Sequence, residues 1–140
     1  MRTLAVRTRA SVFLDTNVLL YLLSADPAKA DAAEALLAKR PTISVQVLNE
    51  VASVCSRKLR MSWDEIGRFL ELVQGFCRVV PVTLEIHRQA RELAERYRLS
   101  FYDACIAAAA LVAGCSTLHS EDMHSGLLLD GRLRVLNPFG

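Results

Sequence analysis

The sequence predicts a single α/β domain: a mainly parallel sheet with helices on both faces. Two observations carry this. Short apolar runs of strand character alternate with longer segments of helical periodicity. The first such run, Phe13-Leu14, ends on Asp15, and a helix-like stretch starts at once behind it. Open α/β sheets place their ligand sites at such strand ends, beside helix amino termini. The length of 140 residues suits one domain with a real core, and 52% hydrophobic against 23% charged residues argues against disorder.

The elements follow in order. Ser11–Leu14 reads as strand and Asn17–Leu23 as a short helix. Asp26-Pro27 is an N-cap followed by proline at the first helical position. The helix behind it carries Ala32, Ala33, Leu36 and Leu37 on one face. Pro41–Ser44 is a second strand, and Ser44 opens a helix whose apolar stripe is read as Leu48, Ala52, Cys55 and Leu59. Ser62-Trp63-Asp64-Glu65 is a capping box, followed at helical spacing by Ile66, Phe69, Leu70 and Val73. Cys77–Val82 is a strand interrupted late by Pro81. Thr83 caps a helix with Ile86, Ala90, Leu93, Ala94 and Tyr97 facing inward. Ser100–Asp103 opens an apolar helix that ends near Gly114, and Ser116–Ser120 is strand again. Asp130-Gly131, between Leu127–Leu129 and Leu133–Leu136, signals a hairpin.

The totals exclude several classes. A net charge of +2 is too small to imply a nucleic-acid partner without local clusters. The longest apolar run, Ala104–Gly114, falls short of the roughly 20 residues a bilayer requires, so no membrane role is expected. Cys55, Cys77, Cys105 and Cys115 form no C-x-x-C pair, and with His87, His119 and His124 they give no zinc spacing. They read as free thiols of a reducing cytoplasm. Met1–Ala10 has three arginines but no apolar stretch. It reads as a flexible arm or an over-long start ahead of a domain spanning 11–139, not as a signal peptide.

Four acids occupy equivalent places in this scheme. Asp15 ends the first strand, Glu50 lies in the second turn of the helix after the second strand, Asp103 is in the first turn of the apolar helix, and Asp122 follows the Ser116–Ser120 strand. In a parallel sheet these places share one edge, so the four carboxylates are expected in one cleft. Each has a plainer role available. Asp15 can cap the next helix, Glu50 can be solvated, Asp103 can favour the helix dipole, and Glu121-Asp122 can be a solvated loop pair. If they converge, their repulsion calls for protonation or a bound cation. An all-oxygen donor set suits Mg2+ or Mn2+, and such sites cleave phosphodiesters by activating water. Arg57 shares a helical row with Glu50 and Val54. With Lys58 and Arg60 it forms a basic rim suited to an anionic polymer, joined by Lys39 and Arg40 before the second strand. Of three aromatics that could stack bases, Trp63, Phe101 and Tyr102, at least two are expected in the core.

These residues resemble a known family. Phe13-Leu14-Asp15-Thr16-Asn17-Val18, Val47-Leu48-Asn49-Glu50, Ser100-Phe101-Tyr102-Asp103-Ala104 and Ser120-Glu121-Asp122-Met123 are similar, in order, to the motifs of PIN-domain ribonucleases, and the ending Val135–Phe139 is also familiar there. Within that family the chain looks most like VapC toxins of bacterial toxin–antitoxin pairs. The resemblance implies a three-layer α/β/α sandwich with a mainly parallel, twisted sheet. It implies an Mg2+- or Mn2+-dependent endoribonuclease whose acidic positions are Asp15, Glu50, Asp103 and Asp122. Thr16 or Ser120 would support a metal-bound water, and Glu121 could share or replace the role of Asp122. RNA as substrate, a cognate antitoxin and a homodimer are the implied partners. Ser62–Phe76 offers apolar surface for a subunit contact or an antitoxin groove.

Three rival readings remain. A non-catalytic PIN-like module binding RNA or protein would have no use for four mutually repelling acids. A phosphorylated receiver domain would need an acidic pair after the first strand and a lysine ending a late strand, and neither is present. A metal nuclease acting on DNA differs only in substrate.

Overall fold

A computed structural model describes residues 11–140; the expected arm at 1–10 lies outside the described residues. In chain order the elements are β1 (Val12–Leu14), α1 (Thr16–Leu20) with a 3-10 turn (Tyr21–Leu23), α2 (Pro27–Leu37), β2 (Thr42–Ser44), α3 (Val45–Arg57), α4 (Trp63–Phe76), β3 (Arg78–Val80), α5 (Leu84–Tyr97), α6 (Phe101–Val112), β4 (Thr117–His119), β5 (Leu128–Leu129) and β6 (Leu133–Leu136). Among the described residues the sheet runs β3-β2-β1-β4-β6-β5. All neighbours are parallel except the β5–β6 hairpin. With helices on both faces this is a three-layer α/β/α sandwich.

Side chains at equivalent register stack across the sheet. Phe13 pairs with Leu118 and Leu118 with Val135, and all three are fully buried. Each such burial contributes about 1.5–3 kcal/mol. Helix α6 is apolar on every side and buried from Ala104 through Leu111, as a helix without a polar face must be. It packs against α5, β2 and α3, while α1 and α4 also pack on α3. These neighbours make α3 the hub that brings Glu50 towards β1.

Side-chain caps define most helix starts. Asp15, Asp26, Ser44, Ser62, Thr83 and Ser100 each accept a backbone N–H of the following turn. Ser62 and Glu65 form the reciprocal capping box. Asp130 (φ 51°) and Gly131 (φ 66°) both take left-handed conformations in the hairpin turn, the geometry that favours Asp-Gly there.

Three local expectations are corrected. The segment after Asp15 is not one helix: it tightens into a 3-10 turn at Tyr21, so that Ser24 can turn the chain towards α2. Strand β3 stops at Val80, because Pro81 has no N–H for a ladder. The buried face of α3 is Val47, Val51 and Cys55. Leu48 and Ala52 are only half-buried, and Leu59 lies beyond the helix, exposed. The true stripe is rotated by one residue because β2 and α6 approach from that side.

Candidate active site

The carboxyl edge of the parallel strands opens into a cleft of about 300 Å3. Asp15, Glu50, Asp103 and Asp122 all line it, together with Thr16, Asn17, Ser53 and Arg57. Four separate elements deliver the acids. Asp15 is the N-cap of α1, 3% exposed, and accepts the Thr16 N–H at 2.7 Å. Capping and cleft membership are therefore both true of it. Ser100 accepts the Asp103 N–H at 3.3 Å, which fixes the turn that presents Asp103.

A hydrogen-bond web joins these parts. Ser120 Oγ donates to Asp15 Oδ2 at 2.7 Å and accepts the backbone N–H groups of Asp122 and Met123. Thr16 Oγ1 donates to Glu50 Oε1 at 2.6 Å, and Gln46 Nε2 donates to Glu50 Oε2 at 2.9 Å. Asn17 Nδ2 donates to Asp122 Oδ2 at 3.0 Å and to Asp15 Oδ2 at 3.4 Å, while its Oδ1 accepts the Glu121 N–H. Asn17 thus bridges two acids 107 positions apart in numbering, Asp15 and Asp122, and sequence reasoning gave it no role. Its i+2 spacing from a strand-end aspartate was the available signal. Gln46, one turn before Glu50, was likewise legible as an i,i+4 partner.

The charges sense one another. Burial pushes the Asp15 carboxyl up to about 6, opposed by the Ser120 and Thr16 bonds and reinforced by Asp103 and Glu50. Asp103 is also raised, by burial first, against the Ser100 bond, with Asp122 and Glu50 adding to the rise. The donor set is wholly oxygen, which suits a hard divalent cation. Among the described residues, however, no group of three His, Cys, Asp or Glu side chains stands arranged to hold a metal ion. Three of the four acids are instead held by neutral donors: Glu50 by Thr16 and Gln46, Asp122 by Asn17, Asp15 by Ser120. The donor chemistry fits Mg2+ or Mn2+: burial raises Asp15 and Asp103 first, and the smaller contribution from their acidic neighbours is a repulsion such an ion would relieve.

The remaining expected residues fall as follows. Glu121 points away from the cleft: it accepts Tyr21 OH at 2.6 Å and pairs with Lys29 at 3.5 Å. Tyr21 and Lys29 are 100 and 92 residues from it in sequence, so no local pattern announced them. Arg57 is part of the cleft wall, but Lys58 and Arg60, at the exposed end of α3, are not. Lys39 and Arg40 precede β2 and so stand at the opposite, amino-terminal edge of the sheet, where Arg40 donates to the Gly75 carbonyl and covers the Phe76 ring. The basic rim is therefore narrower than the sequence suggested. Asp130 sits in its turn, held by Arg96 and Tyr97. The expectation that at least two of the three aromatics are core is overturned: Trp63, Phe101 and Tyr102 are 69%, 38% and 63% exposed.

An acid-lined cleft at the strand ends of a parallel α/β sandwich defines the class. The family model for the PIN domain matches residues 12–125, and the chain belongs to the PIN-domain family of nucleases. The fold is similar to a toxin–antitoxin complex from Klebsiella pneumoniae, with TM-score 0.70 and 22% identity over 91% of this chain and 98% of that one. It is similar to VapC20 of Mycobacterium tuberculosis, a toxin that cleaves the sarcin–ricin loop, with TM-score 0.65 and 27% identity over 80% of this chain and 90% of that one. It is also similar to VapBC2 of Rickettsia felis bound to a promoter DNA fragment, with TM-score 0.66 and 19% identity over 90% and 98%. No curated protein matches the sequence. Among the described residues no helix is long and apolar enough to cross a membrane.

Proposed function

We propose that this protein is a Mg2+- or Mn2+-dependent endoribonuclease, the toxin of a VapC-type toxin–antitoxin pair. One observation carries the reading: four carboxylates from four elements line one cleft at the carboxyl edge of the sheet. A non-catalytic binding module gains nothing from that repulsion. RNA rather than DNA is favoured by the likeness to VapC20.

Asp15, Asp103 and Asp122, with Glu50, would hold the cation. When bound, it supplies charge neutralisation at the phosphate and activation of water. The chain's own residues do the rest. Ser120 and the α1 amino terminus fix the Asp15 carboxylate, and Asn17 sets the distance between Asp15 and Asp122. Thr16 and Gln46 orient the Glu50 carboxylate in the cleft. Arg57, on the cleft wall, contacts the substrate's phosphate backbone, with Lys58 and Arg60 extending that contact outward.

The partners follow from the likeness to toxin–antitoxin complexes. A groove of about 530 Å3 between α2 and α4, walled by Leu22, Leu37, Phe69, Leu72 and Phe76, fits the apolar face of an antitoxin segment. A homodimer would cover further apolar surface of α3 and α4. The four free cysteines suit a reducing cytoplasm. The test is induced expression in a bacterial host. Growth arrest with new RNA ends, absent for Asp103→Asn at equal protein level, is expected. Arrest that Asp103→Asn reproduces in full would overturn the nuclease reading.

A further inference from the structure

The only tryptophan of the chain stands in water. Trp63 is 69% exposed at the first position of α4, although an indole is among the largest apolar side chains a core can use. It lines a second depression, of about 380 Å3, together with Asn49, Ala52, Ser53, Ser56 and Arg57 of α3. Asn49, Ser53 and Ser56 follow one another at i, i+4 and i+7, so a polar row of α3 runs through a mainly apolar lining that includes Ala52 and the indole. Ser53 and Arg57 also line the acidic cleft. The two depressions are therefore neighbours on α3 and share these two wall residues. At that shared wall Arg57 Nε donates to Ser53 Oγ at 3.1 Å, which restrains the guanidinium.

Across α3 the acids thus lie on one side of Ser53 and Arg57, and the exposed indole with the Asn49 amide lies on the other. A nucleotide strand presents a matching sequence of groups: a phosphate at the acids, the next phosphate, and a flat base. Aromatic side chains stack bases of any identity, and arginine holds the phosphate. We propose that the Trp63 depression is a nucleobase subsite for single-stranded RNA, taking the base of a nucleotide flanking the scissile phosphate. Trp63 is the stacking platform, Arg57 the phosphate contact at the boundary, and Asn49 supplies an amide to the base edge. The proposal rests on the nuclease reading and adds to it where the strand runs after leaving the acids.

Because Trp63 is the sole tryptophan, its emission reports on this subsite alone. The experiment uses the full chain as Asp103→Asn in EDTA, so that nothing is cleaved. It is titrated with a labelled twelve-residue oligoadenylate and with an abasic ribose-phosphate strand of equal length. Expected are saturable quenching of Trp63 by oligoadenylate and none by the abasic strand. Adding Trp63→Ala should weaken oligoadenylate binding, read by anisotropy of the label, by roughly 5- to 150-fold, the range that stacking one base gives. The exposed position keeps that variant folded, and the Ser62–Glu65 capping box is untouched. Saturable binding with unchanged Trp63 emission, or equal affinity after Trp63→Ala, overturns the subsite. Trp63 emission that shifts with protein concentration alone also overturns it, since a second copy then covers the indole. Cleavage of RNA by the wild type, run in parallel, separates the two readings: cleavage with silent Trp63 removes only the subsite, and neither binding nor cleavage removes both.

Discussion

Asp15→Asn should stabilise the metal-free protein at neutral pH and fail to do so in acid. The Asp15 carboxyl lies 3% exposed with its pKa raised from 3.8 to about 6. A raised carboxyl means that the folded state binds more protons than the unfolded one between those values. Stability then falls as pH rises from about 4 to 6 and stays low above. At about 1.4 kcal/mol per unit, the cost above pH 7 is about 3 kcal/mol. Asparagine removes that cost and still caps α1, since it accepts the Thr16 N–H as aspartate does. It loses the bond from Ser120 Oγ, whose oxygen already accepts two backbone N–H groups, at about 1 kcal/mol. The net is a gain of about 2 kcal/mol at pH 7.5 and none, or a small loss, at pH 4. Urea denaturation in EDTA at both pH values, compared at equal slope, measures it. A mutational effect that is the same at pH 4 and pH 7.5 refutes the reasoning, because the difference between the two proteins isolates this one titration.

Mg2+ or Mn2+ at a hundredfold excess over Kd should stabilise the wild type by about 2.7 kcal/mol, and Asp103→Asn should lose most of that gain while remaining folded; thermal melts with and without metal check both. Glu121→Gln should cost about 1 kcal/mol through the Tyr21 and Lys29 contacts, discounted for their partial exposure, yet leave the metal effect intact, whereas Asp122→Asn should diminish it; metal titrations on the two variants decide between these neighbours. Arg57→Ala should weaken RNA binding across sequences and lower the salt slope by about 1, and Lys58→Ala, off the cleft wall, should do less; binding measured over a salt series shows the order.

Much of the frame was legible because local chemistry and the fold agree. Asp26-Pro27, Ser44, Ser62 and Thr83 announced helix starts through their side-chain oxygens, and each caps as read. Asp130-Gly131 announced its hairpin through the need for positive φ. What stayed hidden depends on neighbours distant in sequence. The α3 stripe could be placed only to within one residue, since which adjacent row is buried is decided by β2 and α6. Lys39 and Arg40 are close in sequence to a strand of the site, but they precede it, and a strand separates its two ends. Glu121 and Asp122 look alike as adjacent acids on a loop; Tyr21 and Lys29 hold the first, and Asn17 turns the second to the cleft. Which of Trp63, Phe101 and Tyr102 are buried could not be read locally, and the exposure of Trp63 follows from sitting ahead of the buried Ile66 and Val73 at the start of α4.

The central claim is that the four-acid cleft cuts RNA with a divalent cation. The direct measurement incubates purified wild type and Asp103→Asn, both shown folded, with bacterial total RNA and a structured ribosomal-RNA stem-loop, in Mg2+, in Mn2+ and in EDTA. The account predicts discrete fragments from the wild type in either metal, none in EDTA, and at most trace cleavage by Asp103→Asn. Undiminished cleavage in EDTA, or by Asp103→Asn in matched metal, would contradict it.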